Sequence, residues 1–430
     1  MALLSPAARA STGPITAGNS QTNCFTLTGG TDNEISTANL ASVESTTGMT
    51  VDCLETFNNP AATWDAWDTP WQFTNGQPSG TESWNNWVAA GNSMILGEDL
   101  IPQAVDTGNW EASCAAGDYD SYATTLAQNL VSYGAGNITI RLGIEANGNW
   151  ETDYVGTDPS DWATCYDNEV SAMRAVSGAH FLFVWNPNAC YSSAASGGDL
   201  SSWYPGNSYV DIIAADDYDT DCTNNDTVAQ EGFSAYASAG SPSLDSIQSF
   251  AESNGKPFAI PEWGLESGDD PAYVNGISSV LNSTTSGWSF QSYFDDGDGA
   301  EQLTSTYPNS VAAYKSDFAD SGTTSPTPPA APANLQASVN GDSVTLSWSA
   351  VSGATSYEVR VAGYAIQVVT MSDGVYADDT TGTTSLTLSN LPTTEGNGDD
   401  YWWGVAAVNS AGETWDAQTA AGNANEFVLG

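Results

Sequence analysis

Residues 22–318 alternate between short apolar stretches and stretches with the period of an amphipathic helix. Strands that alternate with helices pair in parallel, and eight such units of this total length favour a closed barrel over an open sheet. We therefore expect an α/β fold, a (β/α)8 TIM barrel. The predicted strands are 24–30, 50–57, 93–101, 137–145, 180–186, 210–218, 257–264 and 288–295. The predicted helices are 33–47, 82–90, 118–133, 160–176, 243–254, 271–284 and 308–318.

The pattern changes on both sides of this region. Residues 319–332 are rich in Ser, Thr and Pro, which predicts a fairly stiff linker. Residues 333–430 contain short alternating strands and no helical period, so we expect a C-terminal β-sandwich. Residues 1–21 have neither a cationic start nor a sustained apolar stretch. They predict a disordered segment or processing remnant, not an intact signal peptide.

The stretch Ile140–Trp150 carries an arginine and a glutamate on the same face of a predicted strand. Alternation along a strand places Arg141, Gly143 and Glu145 on one face, opposite an apolar packing face. A buried cation below a carboxylate at the end of a strand is costly, and it favours a functional role. The alternative is a purely structural ion pair.

In a barrel of this kind the active site lies at the carboxyl ends of the strands. Aromatic rings beside carboxylates suit a sugar, whose C–H faces stack on the rings and whose hydroxyls bind polar groups. Paired carboxylates are also the usual catalysts of glycoside hydrolysis. The candidate catalytic residues are Glu145 and Glu262, with Arg141 as support. The candidate substrate-binding residues are Asn147, Trp150, Trp185, Asn186, Asp217, Tyr218, Trp263 and Tyr293.

The charge balance restricts the partners. The chain has 52 acidic residues against 6 Lys and Arg, a formal net charge of −46. Nucleic acid and anionic membrane surfaces would repel it, so we expect a neutral ligand. We also expect a monomer. No apolar stretch is long enough to cross a bilayer. So few cations also suggest an acidic or saline environment.

Six cysteines and one histidine, without a CxxC pair, argue against a zinc site. We expect no metal and no cofactor, but three disulfides and a secreted protein. Neighbouring barrel units have neighbouring loops, so consecutive cysteines can pair. The expected disulfides are Cys24–Cys53, Cys114–Cys165 and Cys190–Cys222.

Four motifs occur in order: RLGIEANGNW, FVWNPN, YPGNSYVDIIAADDYD and PFAIPEWG. Together they resemble the clan A glycoside hydrolases, and most of all family 26, best known for endo-β-mannanases. The resemblance covers residues 22–318 and implies a retaining mechanism, with Glu145 as general acid/base and Glu262 as nucleophile. It also implies that Trp150 stacks on substrate and that Tyr218 bonds the nucleophile. The two carboxyls should then lie about 5–5.5 Å apart.

The chain departs from the family in residues that contact sugar. Ile144 stands where the mannanases commonly have His, and neutral residues stand where some have a Trp-Arg pair on strand eight. The expected substrate is a β-1,4-mannan, with a β-glucan or xylan as alternatives and a non-catalytic glycan-binding protein as another class. Residues 333–430 resemble a fibronectin type III domain through Trp348, Leu391 and Tyr401.

Overall fold

The protein is described from a computed structural model. The described residues are 15–27, 35–58, 60–74, 81–105, 108–156, 158–191, 198–222, 228, 232–295, 303, 306–318, 329–341, 343–351, 354, 356–364, 375–381, 383–389, 391, 400–409, 412–420 and 424–429. Residues 1–14 and most of the predicted linker, 319–328, lie outside this set. The chain forms two compact units, Met1–Ser321 and Gly322–Gly430.

The first unit contains a closed barrel of eight parallel strands, which confirms the expected fold class. Neighbours in the barrel follow the order of the chain, and β1 pairs with both β2 and β8 to close it. The strands are β1 (Thr22–Thr26), β2 (Cys53–Phe57), β3 (Ser93–Glu98), β4 (Thr139–Leu142), β5 (Leu182–Trp185), β6 (Ile212–Tyr218), β7 (Phe258–Gly264) and β8 (Trp288–Phe294).

Helices follow the strands close to the predicted positions. Several start at clear signals: Asp158 and Asp270 each cap a helix whose first residue is proline, and Ser243 forms a capping box with Ser246. The helices of this unit are Thr37–Thr47, Trp64–Trp67, Trp71–Thr74, Trp84–Ala89, Trp110–Ala115, Asp120–Ser132, Pro159–Arg174, Leu200–Trp203, Phe233–Ala237, Leu244–Ser253, Pro271–Ser283 and Pro308–Asp317. Residues Ile35–Ser36 and Thr81–Glu82 form a small separate antiparallel pair. No described helix is both long and apolar enough to cross a bilayer.

Alternation along each strand separates the barrel interior from the layer under the helices. Inside, an apolar floor is formed by buried residues including Cys24, Ile95, Val184 and Phe290. A polar layer lies in the same interior, and the larger core cluster fills the space between strands and helices. The polar residues of the interior are therefore held between an apolar floor and the barrel mouth.

A bulge in β7 changes which residues face inward. Ala214 of β6 pairs with Ala259 of β7, but Asp216 pairs with Glu262, so β7 has one extra residue between the two pairs. Strict alternation from Ala259 would direct Pro261 inward and Glu262 outward. The bulge restores Glu262 to the interior, beside Asp216.

The three disulfides join the cysteines that the sequence analysis paired, with Cα–Cα distances between 4.6 and 5.2 Å. Cys24–Cys53 joins the neighbouring strands β1 and β2 on the inner side of the barrel. Cys190–Cys222 joins the segment after β5 to the segment after β6.

The sequence analysis assigned residues 1–21 to a disordered segment or processing remnant; of these, residues 15–21 are described and lie against the barrel. Ile15 is buried against the apolar floor of the barrel, where it contacts the cluster around Cys24 and Phe290. The Ser289 hydroxyl donates to the Thr16 carbonyl, and the Ser20 hydroxyl donates to the Ser289 carbonyl. An apolar side chain with a place in the core orders this segment, although the sequence around it is polar.

The described residues of the second unit form β-strands and one short helix, Ala417–Ala420. Its strands form a three-stranded and a five-stranded antiparallel sheet, and both sheets contribute to one apolar core around Trp348 and Trp403. Its strands are β9 (Gln336–Asn340), β10 (Ser343–Ser347), β11 (Ser356–Ala362), β12 (Val375–Thr381), β13 (Ser385–Ser389), β14 (Asp400–Asn409), β15 (Gly412–Trp415) and β16 (Asn425–Val428).

Candidate active site

Arg141 organises the polar layer of the barrel. Its guanidinium is fully buried and forms ion pairs with Glu55 on β2, Asp216 on β6 and Glu262 on β7. The bond to Glu262 is 3.2 Å long and reaches upward to a carboxylate whose side chain is 16% exposed. The side-chain amide of Asn186 bridges the same layer, because it accepts from Arg141 and donates to Asp216 at 2.8 Å.

One cation thus faces three acidic groups, and the deepest of them retains a proton more readily than usual. Burial raises the pKa of Glu55 to about 7, although the charge of Arg141 lowers it in part. Burial also raises the pKa of Asp216 well above its usual range, against the lowering effect of Arg141. All three carboxyls are direct partners of the guanidinium. Arg141 contacts Glu262 from below. This contact agrees with the expected support and also with the structural ion pair that the sequence analysis kept as the alternative.

Glu145 lies above this layer, in the turn after β4. Both of its carboxylate oxygens accept a hydrogen bond: Asn188 Nδ2 donates to Oε1 at 2.8 Å, and Trp150 Nε1 donates to Oε2 at 2.7 Å. The backbone of Glu145 has φ of +45°, and its N–H donates to the Asn186 carbonyl. A left-handed glutamate costs about 1–3 kcal/mol, and such conformations concentrate at functional sites.

The environment of Glu145 favours its protonated form. Burial is the main cause and the negative charge of Glu262 the second, and together they raise the pKa of Glu145 to about 7. The donors from Asn188 and Trp150 act in the opposite direction. A carboxylic acid that holds a proton near neutral pH, beside a second carboxylate, can act as a general acid.

Glu262 is held from a second direction by Tyr218, whose hydroxyl donates to Oε1 at 2.8 Å. The Tyr218 ring also contacts Phe294 of β8, and Phe294 contacts Phe57 of β2. Phe57 and Phe294 are only partly buried. The Glu262 side of the mouth is therefore an aromatic wall, defined here as Phe57, Tyr218 and Phe294.

The segment after β5 is fixed beside Glu145. Asn147 donates to the carbonyls of Asn188 and Tyr191 at 2.9 Å each, and its side-chain oxygen accepts from the Asn188 N–H. The sequence analysis expected Asn147 to bind substrate. It is fully buried, so it positions this segment instead. Gly148 leaves room for Trp150, because a Cβ there would lie 2.1 Å from the indole ring.

Four other predicted substrate-binding residues point away from the mouth. Trp185, Asp217, Trp263 and Tyr293 are fully buried on the outer side of their strands. Trp185 packs against Trp203 in the helix layer. Alternation explains the error, because the inward residues of these strands are Asn186, Asp216, Glu262 and Phe294.

Their contacts leave no access for a sugar. The Asp217 carboxylate accepts from the hydroxyls of Tyr236 and Tyr273. Trp263 donates to Gln291 and packs against Tyr293, which itself lies against Tyr314. Asn186 does face inward, but it is fully buried and its amide is bonded to Arg141 and Asp216.

Four site residues were missed by sequence reasoning. Glu55, Phe57 and Phe294 could have been found by extending the inward register of Arg141 to β2 and β8, since each occupies an inward position. Asn188 lies in the quoted FVWNPN motif, but only its distance to Glu145 distinguishes it from Asn186.

Two close groups of cysteine and acidic side chains occur among the described residues, Cys114–Cys165 with Glu169 and Cys190–Cys222 with Asp217. All four cysteines are in disulfides, so their sulfurs are not available as thiolate ligands. These groups do not fit a metal ion.

Residues 81–238 match the model of Glycosyl hydrolase family 26. This segment covers well under half of the chain; it includes Glu145, Asn188 and Tyr218 and ends before Glu262. The match supports a glycoside hydrolase that acts on a polysaccharide. No curated protein sequence matches the chain.

Solved structures of similar fold include two mannanases. An endo-β-1,4-mannanase double mutant from Cellulomonas fimi is 18% identical, with a TM-score of 0.47, over 96% of this chain and 94% of that one. The catalytic domain of an endo-β-1,4-mannanase from Bacillus sp. JAMB-750 is 17% identical, with a TM-score of 0.48, over 70% and 89%. A variant of FN3tt is 23% identical over 21% of this chain and 90% of that one, with a TM-score of 0.17. At these identities and TM-scores, the similarities do not define the chemistry of this chain.

Proposed function

We propose that the chain is a secreted, monomeric, retaining endo-β-glycanase that hydrolyses a neutral polysaccharide, with β-1,4-mannan as the first candidate substrate. The observation that carries the proposal is the pair of carboxyls at the barrel mouth. Glu145 holds a proton near neutral pH, and Glu262 is oriented by Arg141 and Tyr218. Two carboxyl groups with different environments and different roles are what double displacement needs.

In the first step, Glu262 attacks the anomeric carbon and forms a bond to it. The bond from that carbon to the glycosidic oxygen breaks, and Glu145 transfers its proton to this oxygen. Arg141 and Tyr218 hold the attacking carboxylate by its two oxygens, which keeps it aligned. The products of this step are a free leaving-group sugar and a glycosyl ester on Glu262.

In the second step, water restores the enzyme. Esterification removes the negative charge of Glu262, which is one of the causes that raise the pKa of Glu145. Glu145 therefore exists as a carboxylate at this stage and takes a proton from water. The hydroxide attacks the anomeric carbon, the ester bond breaks, and Glu262 is released as a carboxylate.

The wider assignment follows from the same features. Three disulfides suit an oxidising, extracellular compartment. A formal net charge of −46 suits a neutral substrate. We assign residues 22–318 to catalysis, 319–332 to a linker and 333–430 to a fibronectin type III domain; the division between the two compact units, after Ser321, falls within this linker.

The test is reducing-sugar release from mannans, β-glucans and xylans, with the wild-type protein beside Glu262→Ala and Glu145→Ala. We expect release from one glycan, and a loss of at least about a thousandfold in Glu262→Ala, because the covalent step has no substitute. Glu145→Ala should retain activity on an aryl glycoside whose leaving group needs no proton.

Proton NMR of the first product anomer would test retention. An inverted anomer would contradict the double displacement. If no glycan releases reducing sugar but saccharide binding is intact, a glycan-binding protein on a hydrolase scaffold would be favoured.

A further inference from the structure

Two exposed aromatic side chains lie side by side on the Glu145 side of the mouth. Trp150 is 49% exposed and Tyr191 is 54% exposed. Few other large apolar side chains are exposed among the described residues of the barrel unit. Their ring centroids are 5.5 Å apart and the ring planes are inclined by 30°. We call this pair the outer platform.

The outer platform is fixed in place, which distinguishes it from incidental surface aromatics. Trp150 is held by its hydrogen bond to Glu145. The backbone of Tyr191 is held by Asn147, and the preceding residue, Cys190, is tied by a disulfide to Cys222. An exposed ring that is already ordered can stack on a ligand at low entropic cost.

The outer platform and the aromatic wall adjoin different members of the carboxyl pair. The wall of Phe57, Tyr218 and Phe294 adjoins Glu262, which in the proposed mechanism bonds to the sugar that stays on the enzyme. The platform adjoins Glu145, which in that mechanism protonates the oxygen of the departing sugar. The leaving-group sugar therefore has Trp150 and Tyr191 as its neighbours.

We infer that Tyr191, together with Trp150, forms the binding site for the leaving-group sugar and for any saccharide acceptor that replaces water in the second step. The ligand is a neutral pyranose whose apolar C–H face stacks on the rings. This inference rests on the proposed function and extends it, because it assigns a subsite to a residue outside the catalytic pair. Tyr191 is a binding residue here and takes no part in proton transfer.

The test compares Tyr191→Ala with Tyr191→Phe, which keeps the ring. As a matched control, Tyr364→Ala removes a tyrosine of similar exposure, 44%, from the C-terminal unit. Loss of the stacking contact should lower kcat/KM on a neutral β-linked oligosaccharide by about 3- to 10-fold in Tyr191→Ala. Tyr191→Phe and Tyr364→Ala should stay within about twofold of wild type, and the melting temperature should not change in any of the three.

Two further measurements separate this subsite from a general defect. A glycosyl fluoride has a leaving group too small to reach the platform, so its kcat/KM should be unchanged in Tyr191→Ala. With added saccharide acceptor, the share of transglycosylation product relative to hydrolysis should fall. Equal losses on the oligosaccharide and the glycosyl fluoride, with unchanged partitioning, would overturn the inference, and so would full activity on both substrates.

A binding experiment covers the case in which the proposed function fails. Calorimetric titration with the same oligosaccharide, in the Glu262→Ala background, should show weaker binding when Tyr191→Ala is added. If wild type hydrolyses nothing but this weakening is seen, the platform stands and the hydrolase proposal falls. If the oligosaccharide does not bind, or binds equally with and without Tyr191, the platform is refuted whatever the activity.

Discussion

At the scale of single residues, Glu145 shows how the site controls a proton. Burial and the charge of Glu262 raise the pKa of its carboxyl. Two hydrogen-bond donors lower it. Asn188 is one of these donors and is itself held by Asn147. The acid therefore depends on a chain of side chains behind it, and Asn188 is a positioning residue in that chain.

Replacing Asn188 with alanine should move the alkaline limb of the pH profile. The acid works in its protonated form, so activity falls as pH rises through the pKa of Glu145. A donor to the carboxylate lowers that pKa, and its removal should raise the pKa and shift the limb upward by about one pH unit. The optimum kcat should fall about 10-fold, because Glu145 loses one of its two restraints. The measurements are kcat and kcat/KM on an oligosaccharide from pH 4 to 9.

The control is Asn168→Ala. The Asn168 amide donates to two backbone carbonyls near Cys114, away from the mouth, so its loss should lower stability and leave the limb where it is. A limb that does not move in Asn188→Ala, or moves downward, would show that Asn188 does not act on the acid.

The structure brings together residues that a motif or a strand end identifies. Arg141, Glu145, Trp150 and Tyr218 lie in one connected group around Glu262 and Glu145, in agreement with alternation and the family pattern. Tyr293 was misplaced because the last inward residue of β8 is Phe294, one position further on. A shift of one residue reverses the face of a strand, and sequence reasoning locates strand ends less accurately than that.

At the scale of elements, the bulge in β7 and the segment after β5 determine the site. The bulge brings Glu262 inward, and nothing in PFAIPEWG measures the register against β6 that reveals it. The segment after β5 carries Asn188 and Tyr191 and is tied by Cys190–Cys222 to the segment after β6. The barrel itself was predictable because eight apolar strands with helices between them have few other arrangements.

The two disulfides with similar spacing should have different effects. Cys24–Cys53 and Cys190–Cys222 are separated by 29 and 32 residues, so the chain-entropy model gives each about 3–4 kcal/mol of stability. Cys190→Ala with Cys222→Ala should also raise KM, because Tyr191 loses its adjacent restraint. Cys24→Ala with Cys53→Ala should lose stability and keep its KM, since that bridge lies in the apolar floor.

The measurements are urea unfolding and steady-state kinetics at a temperature where both double variants are folded. An equal change of KM in the two would mean that the bridge after β5 has no specific link to the site.

At the scale of the whole molecule, acidity extends from the surface into the core. The formal net charge is −46, and the fully buried residues include three further carboxyls, Glu98, Asp153 and Glu169. Asn58 donates to Glu98, and the Leu100 N–H donates to Asp153. Burial raises the pKa of Asp153 to about 7, and it raises the pKa values of Glu98 and Glu169 well above the usual range.

These groups make stability depend on pH in one direction. A carboxyl whose pKa is higher in the folded than in the unfolded state binds its proton more tightly when folded. Its contribution is complete below the unfolded pKa, about 4, and is lost as pH rises through the folded pKa, near 7 for Glu55, Glu145 and Asp153. The free energy of unfolding should therefore be highest near pH 4–5 and fall by several kcal/mol by pH 8.

Salt should separate the buried from the surface contribution to this fall. Surface repulsion among the acidic side chains is screened within about 10 Å at 0.1 M salt, whereas buried carboxyls are screened much less. Urea unfolding across pH 4–9, at low and at 0.5 M NaCl, should show partial recovery at pH 8 and a residual decline that salt does not remove. A stability maximum above pH 7 at low salt would contradict the whole account. Full recovery in salt would assign the decline to the surface alone and remove the buried carboxyls from the explanation.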